Sequence, residues 1–205
     1  MKKVCIIDYG LGNLASIYNA IKVFNFDVKI SNSSKDIQEA SHLVLPGVGS
    51  FESGMEGLRK FNLINILNEQ VVEKEKKFLG ICLGMQLIFT ESHEGGKFPG
   101  LNWINGDVIK ISDKDKNIKI PHMGWNDVDF SANSKLYKDI KISTTFYFVH
   151  SYHAVPKNNN VISGTSSHGS KIVASIEHKN IFATQFHPEK SHEVGTLLLK
   201  NFINN

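Results

Sequence analysis

The sequence predicts an α/β fold: an open, mostly parallel sheet flanked by helices, with antiparallel additions. Two observations carry this. In the first half, short continuous apolar runs alternate with stretches of helical periodicity, whereas in the second half strand-like runs follow one another with few helices between them. Strands separated by helices imply a parallel sheet covered on both faces, and strands that follow directly imply antiparallel pairing. The 205 residues suffice for one enzyme-sized core, so a single domain over 1–205 is expected.

In chain order, residues 3–8 (KVCIID) read as a buried strand, followed by a glycine turn. A helix follows over about 13–24, with Ile17, Ala20, Ile21 and Phe24 on one face. A strand at 27–31, a polar stretch and a strand at 42–45 ending at Pro46 come next. Met55, Leu58, Ile64, Leu67 and Val71 form an apolar stripe that predicts a helix over 51–75. A fourth strand at 78–82 (FLGIC) runs straight into a predicted helix, GMQLIFTES. The second half offers strands at 103–111, 118–120, 145–152, 161–166, 171–177 and 181–186, either added to the same sheet or forming a small one beside it. A last helix is predicted over about 191–202. The segments 112–117 and 156–160 read as exposed hairpin loops, and no internal repeat is present.

Composition narrows the function classes. With 41% hydrophobic and 21% charged residues this is an ordinary globular sequence. A net charge of +3, from 23 basic and 20 acidic residues spread along the chain, gives no reason to expect nucleic acid. The N-terminal apolar run is interrupted at Asp8, too early for a secretory signal, and no run reaches the roughly 18 residues of a membrane span. A cytoplasmic protein is therefore expected. Two cysteines in apolar runs fit a reducing compartment, and Cys5 reads as a small buried hydrophobe. Neither cysteine lies near a second ligand in sequence, so no metal is expected among them and the nine histidines.

The chemistry gathers at Gly80-Ile81-Cys82-Leu83-Gly84, a nucleophile between two glycines where a buried strand meets a helix. A sharp strand-to-helix turn exposes the side chain in a strained position, and the glycines leave room for close backbone. The helix N-terminus favours a thiolate there. A structural cysteine between two convenient glycines is the competing reading. Gln185-Phe186-His187-Pro188-Glu189 supplies the base: residues two apart on an extended chain share a side, and Pro188 holds His187 out of a helix. A carboxylate beside the imidazole fixes its tautomer, completing a Cys82–His187–Glu189 triad. The N–H of Leu83, directly after the nucleophile, is the natural first oxyanion donor.

GICLGMQ at 80–86 and QFHPEKS at 185–191 resemble the two signatures of class I glutamine amidotransferases. Within that class DYGLGN (8–13), PGVGSF (46–51), HMGWN (122–126) and YFVHSY (147–152) resemble the glutaminase subunits of imidazole glycerol phosphate synthases, end to end along the chain. The resemblance implies the class I amidotransferase fold, L-glutamine as substrate and no cofactor. It implies a second oxyanion donor within Gly47, Val48 and Gly49, and glutamine held by Gln86, Glu94 and the backbone of Ser151 and Tyr152. It further implies a heterodimer with a (β/α)8-barrel cyclase that receives the ammonia, with Trp125 and Lys190 near the interface. Gly10, Gly12 and Asn13 are expected to bring their loop close to that partner.

The sequence departs from the commoner pattern of these subunits at His153, at Ser166-Ser167-His168-Gly169 and at His192-Glu193. That keeps open a paralogous subunit feeding an enzyme of surface-sugar biosynthesis, alongside a catalytically silent regulatory subunit. Gly10-Leu11-Gly12-Asn13-Leu14-Ala15 formally fits a dinucleotide turn, but the second strand ends in Ser31-Asn32-Ser33-Ser34 without the acidic residue a ribose needs. A cysteine peptidase on a related fold is disfavoured by Glu189 directly after His-Pro.

Overall fold

The computed structural model describes residues 2–112 and 118–205. Its first half alternates as predicted: β1 (Lys3–Ile7), α1 (Leu14–Lys22), β2 (Asp27–Ser31), α2 (Ser34–Glu39), β3 (His42–Gly47), α3 (Phe51–Lys60), α4 (Leu63–Leu67), β4 (Lys77–Cys82) and α5 (Leu83–Leu87). The second half contains β5 (Phe89–Ser92), β6 (Phe98–Pro99), β7 (Ile104–Lys110), β8 (His122–Phe130), β9 (Thr144–His150), β10 (Tyr152–Pro156), β11 (Ile162–His168), β12 (Ser170–His178), β13 (Ile181–Thr184) and α6 (His192–Asn204).

The strands make two sheets. The larger has the order β2-β1-β3-β4-β13-β12-β11-β8-β9; its first five strands are parallel, and every later pairing is antiparallel. The smaller runs β10-β7-β5-β6. Both options for the second half are thus realised, in one mixed architecture. β1 shows why its sequence is a continuous apolar run: Val4 and Ile6 pack with α1 and α6, whereas Cys5 and Ile7 pack with α3 and α4. Among the described residues, no helix is long and apolar enough to cross a membrane.

Several elements differ from expectation, each for a local reason. The helix predicted over 51–75 breaks at Asn62, whose left-handed backbone (φ 55°) ends α3; the chain restarts as α4 and finishes in a π-helical turn, Asn68–Glu73. GMQLIFTES stops being helical at Leu87, because the amides of Trp103 and Ile104 take the Ile88 carbonyl and draw residues 89–92 into the smaller sheet as β5. The expected polar stretch contains α2, whose one buried residue, Ile37, gives no apolar stripe. β8 has no counterpart among the expected strands because its pattern is inverted, with Met123 and Trp125 facing out and His122 facing in.

The run 145–152 is divided by a bend at Ser151, beyond which β10 joins the other sheet. Residues 118–120 form bends instead of a strand, and the Lys119 carbonyl accepts from His168 Nε2 at 2.8 Å rather than from a ladder partner. Of the predicted loop 156–160, Pro156 is the buried last residue of β10, and 157–160 are exposed but link two sheets instead of closing a hairpin. Of the other predicted loop, 113–117 lie outside the described residues.

Candidate active site

Cys82 sits at the junction of β4 and α5 with φ 53° and ψ −105°, a conformation that costs a non-glycine residue about 1–3 kcal/mol. The flanking glycines make this turn possible by packing. A Cβ on Gly80 would lie 2.6 Å from the Gly84 carbonyl oxygen, and one on Gly84 would be driven into the Leu45 carbonyl of β3. Gly47 faces Cys82 across the β3–β4 pairing, and a Cβ there would collide with the Tyr9 hydroxyl and approach the Leu83 Cβ to 2.9 Å.

Behind Cys82, His187 Nδ1 lies 2.7 Å from Glu189 Oε1, and each side chain is only 2% exposed. With Nδ1–H donating to the carboxylate, Nε2 is the free end of the ring, with no hydrogen-bond partner among the described residues. Burial works against the imidazolium, but the neighbouring Cys82 sulfur and Glu189 carboxylate outweigh it and raise the His187 pKa to about 10. The ring is held by its surroundings: its backbone N–H donates to the Tyr147 carbonyl at 2.9 Å, and Ser191 Oγ donates to its carbonyl at 2.7 Å.

The structure adds one side chain to the expected set. Gln185, fully buried, donates from Nε2 toward Cys82 Sγ at 3.7 Å and accepts from Gln86 Nε2 at 3.1 Å. The second N–H of Gln86 donates to the Tyr152 carbonyl at 2.9 Å, so its amide nitrogen is committed inward and its carbonyl oxygen is the end left for a ligand. Gln185 stands two residues before His187, and the period-2 argument that paired His187 with Glu189 could have found it.

A cavity of about 390 Å³ opens over Cys82 and is lined by Leu83, Val48, Gly49, Gln86, Glu94, Ser151 and Tyr152 among others, which brings most of the predicted site together. Glu94 follows β5 in a loop, where Oε2 accepts the Phe51 N–H at 2.7 Å and caps α3. Its other oxygen is left for a ligand. The Tyr152 carbonyl takes two protein donors and the Ser151 carbonyl takes the Ile111 N–H at 2.9 Å. A ligand in this cavity would meet these two residues through their N–H groups, which suits a carboxylate.

Residues 5–205 match the family model described as Glutamine amidotransferase class-I. The chain belongs to this family. Over 200 residues it is 44% identical to imidazole glycerol phosphate synthase subunit HisH 2 of Pseudomonas aeruginosa and 46% identical to the subunit of the same name from Methanococcus maripaludis, with 98% of each chain covered in both cases. The structure of PurLQS from Thermotoga maritima aligns with a TM-score of 0.74 at 16% identity, over 99% of this chain and 98% of that one, a likeness of fold alone.

The residues expected near a partner divide into two groups in this amidotransferase. Gly12 (φ 110°) packs on Gly47, where a Cβ would lie 3.4 Å from the Gly47 Cα, and Asn13 caps α1 by accepting from the Ser16 N–H at 3.3 Å. With Gly10 (φ 87°) they form a loop that braces the Gly47 turn. Trp125 and Lys190 are at the surface instead. Trp125 stacks on His192 (4.8 Å, 10°), Lys190 Nζ lies 5.5 Å over the Tyr147 ring, and Met123 is 63% exposed beside them. One group of possible metal ligands does meet, Glu91, His93 and Asp107 within 4.8 Å of one another; sequence spacing could not have shown it, and Glu91 is already paired with His93 and Lys97.

Buried histidines give the amidotransferase an acid-sensitive core. Burial, followed by nearby Lys2 and Lys77, lowers His42 to about 4; burial, followed by His168, lowers His122 to about 4; burial is also the main cause for His150, at about 3. Below pH 6.5 the unfolded chain protonates these rings while the folded chain does not, so the unfolded state binds more protons and stability falls with pH. Each independently titrating ring contributes about 1.4 kcal/mol per pH unit between roughly 6 and 4. His187 has the opposite sign: its raised pKa adds stability that is fully present below 6.5 and fades only as pH rises toward 10. Urea unfolding at pH 7 and pH 5 should therefore show several kcal/mol less stability at pH 5, and equal midpoints would contradict this accounting.

Proposed function

We propose that this chain, as one amidotransferase domain over 1–205, is the glutaminase subunit of a cytoplasmic imidazole glycerol phosphate synthase. It hydrolyses L-glutamine and passes the ammonia to a (β/α)8-barrel cyclase bound as its heterodimer partner. The observation that carries the reading is the strained Cys82 elbow, open to a cavity and backed by the 2.7 Å His187–Glu189 pair. Its HisH relatives over nearly the full chain point to the same activity.

Cys82, deprotonated beside the His187 imidazolium, attacks the side-chain amide carbon of glutamine. The oxyanion is held by the Leu83 N–H and by a second N–H from the Gly47–Gly49 turn. His187 Nε2 gives its proton to the departing ammonia, then takes one from the water that attacks the γ-glutamyl thioester, and glutamate leaves. Gln86 Oε1, the free Glu94 oxygen and the N–H groups of Ser151 and Tyr152 hold the α-amino and α-carboxylate groups of the substrate.

The turn has one fixed and one free half, which supports control by the partner. Gly47 is pinned by Tyr9, Leu83 and Gly12, whereas Gly49 has φ 110° and open space where a Cβ would be, and Val48 is 42% exposed. Rotating the Val48–Gly49 peptide is therefore inexpensive, and the chain alone is nearly inactive until the barrel fixes it. The exposed Met123–Trp125 surface with Lys190 is the face that the barrel covers.

A second reading is favoured by two observations. Relatives bear copy numbers, as in HisH 2, and the departing residue His192 stacks on Trp125 within the expected interface. Such a chain would feed ammonia to another acceptor, of the surface-sugar type. Ammonia release from glutamine, measured with and without the barrel cyclase and its phosphorylated nucleotide ligand, distinguishes the readings. Addition of both should raise the rate about 100-fold. Cys82-dependent activity indifferent to this barrel would transfer the glutaminase to the second acceptor. Equal activity of the isolated chain and the complex would end the gating idea, and inactivity throughout would leave a silent regulatory subunit.

A further inference from the structure

Antiparallel pairing of β8 and β9 sets His122 opposite His150, and their side chains meet, Nδ1 of His122 lying 3.0 Å from Nε2 of His150. Each end of this pair terminates on a backbone carbonyl, which can only accept. At one end the Tyr152 carbonyl lies 2.8 Å from His150 Nδ1, which therefore carries a proton. At the other end Asn126 Nδ2 donates to the Ser167 carbonyl at 2.8 Å and reaches His122 Nε2 at 3.0 Å, while Asn126 Oδ1 accepts from the Asp127 N–H at 2.9 Å. The Asn126 amide is thereby fixed with its nitrogen toward His122, so His122 Nε2 is bare.

These end conditions assign every proton between them. A neutral His122 with bare Nε2 carries its proton on Nδ1 and donates to His150 Nε2; His150 with bare Nε2 donates from Nδ1 to Tyr152. The two assignments, made from opposite ends, agree, and they agree only when both rings are neutral. Burial to 3% and 6% exposure favours that state. The His122 ring is also clamped, stacked between Phe148 (4.5 Å, 21°) and His168 (4.1 Å, 19°), so it cannot rotate to exchange its nitrogens without breaking both contacts.

The chain ends on an atom that matters to the pocket. The Tyr152 carbonyl receives His150 Nδ1–H and Gln86 Nε2–H, filling its two lone pairs. We propose that His122 and His150 are positioning residues of the glutamine pocket: a one-directional chain from Asn126 on β8 fixes the Tyr152 carbonyl and, through it, the side chain of Gln86. The kinetic part rests on the glutaminase reading above, and the proton assignment does not.

The test has two arms. With the full chain labelled with 15N-histidine, long-range 1H–15N spectra at pH 7 should find both rings as the Nδ1–H tautomer, with signals assigned by their loss in His122→Phe and His150→Phe. Either ring in the Nε2–H form would overturn the chain, whatever the enzyme does. In the activated complex His150→Phe should raise the KM for glutamine about 10-fold with a much smaller change in kcat, from loss of one buried donor. His150→Asn, whose side-chain N–H stands where Nδ1–H was, should recover most of that loss. An Asn variant no better than Phe, or a fall in kcat at constant KM, would reduce these rings to ordinary core. If the wild-type complex proves inactive the glutaminase reading fails, and the tautomers alone decide the proton chain.

Discussion

Exchanging Cys82 for alanine should lower glutamine hydrolysis by the activated complex by about 10⁴-fold or more, with little effect on folding. The loss is large because nothing in the pocket can replace the sulfur. The other thiol, Cys5, lies buried in β1 with its pKa pushed up to about 12, chiefly by burial and then by Asp36, and is unavailable as a nucleophile. His187 and Glu189 would remain paired, and Gln185 would lose only a weak sulfur acceptor. Alanine is small and shares the steric limits of cysteine at φ 53°, so the elbow should keep its shape. Ammonia release by the purified complex is the primary readout, and the denaturation midpoint is the control. A variant that kept more than about a hundredth of wild-type activity would mean that the attacking group lies elsewhere.

The parts of this site that could be read from sequence are those whose signals are local. Gly80, Cys82 and Gly84 lie within five residues of one strand-to-helix junction, and His187 and Glu189 are two apart on extended chain, so periodicity and glycine placement suffice. The parallel half of the sheet was legible for the same reason, through continuous apolar runs such as that of β1. What stayed hidden depends on pairs distant in sequence. Gln86 and Gln185 are 99 residues apart and His122 and His150 are 28 apart, and only the sheet topology brings them together. β8 was hidden by chemistry as well as distance: it turns Met123 and Trp125 outward and buries a histidine, the reverse of the usual rule. The helix predicted through residues 89–92 fails for the same reason, because hydrogen bonds from the distant Trp103 and Ile104 to the Ile88 carbonyl decide that neighbourhood.

The elbow itself supplies the largest expected stability effect, at Gly84. This residue does not have positive φ, so its requirement for glycine is one of space alone. An added Cβ would be driven into the Leu45 carbonyl oxygen and would lie 2.9 Å from the Leu45 carbonyl carbon, both backbone atoms of β3. β3 is held between β1 and β4, so it can yield only by breaking its ladders, and α5 can yield only by withdrawing Leu83, Met85 and Leu87 from the core. Gly84→Ala should therefore cost about 4 kcal/mol or more, a large share of the 5–15 kcal/mol typical of a whole domain. Gly95→Ala is the matching control, because Gly95 has φ 70° and open space where a Cβ would be, so only backbone strain of roughly 1–2 kcal/mol is added there. Urea unfolding of the two variants separates crowding from strain. Were Gly84→Ala no less stable than Gly95→Ala, α5 would have to slide from β3 at little cost, and the close approach that aims Cys82 into its pocket would not be a rigid feature of the fold.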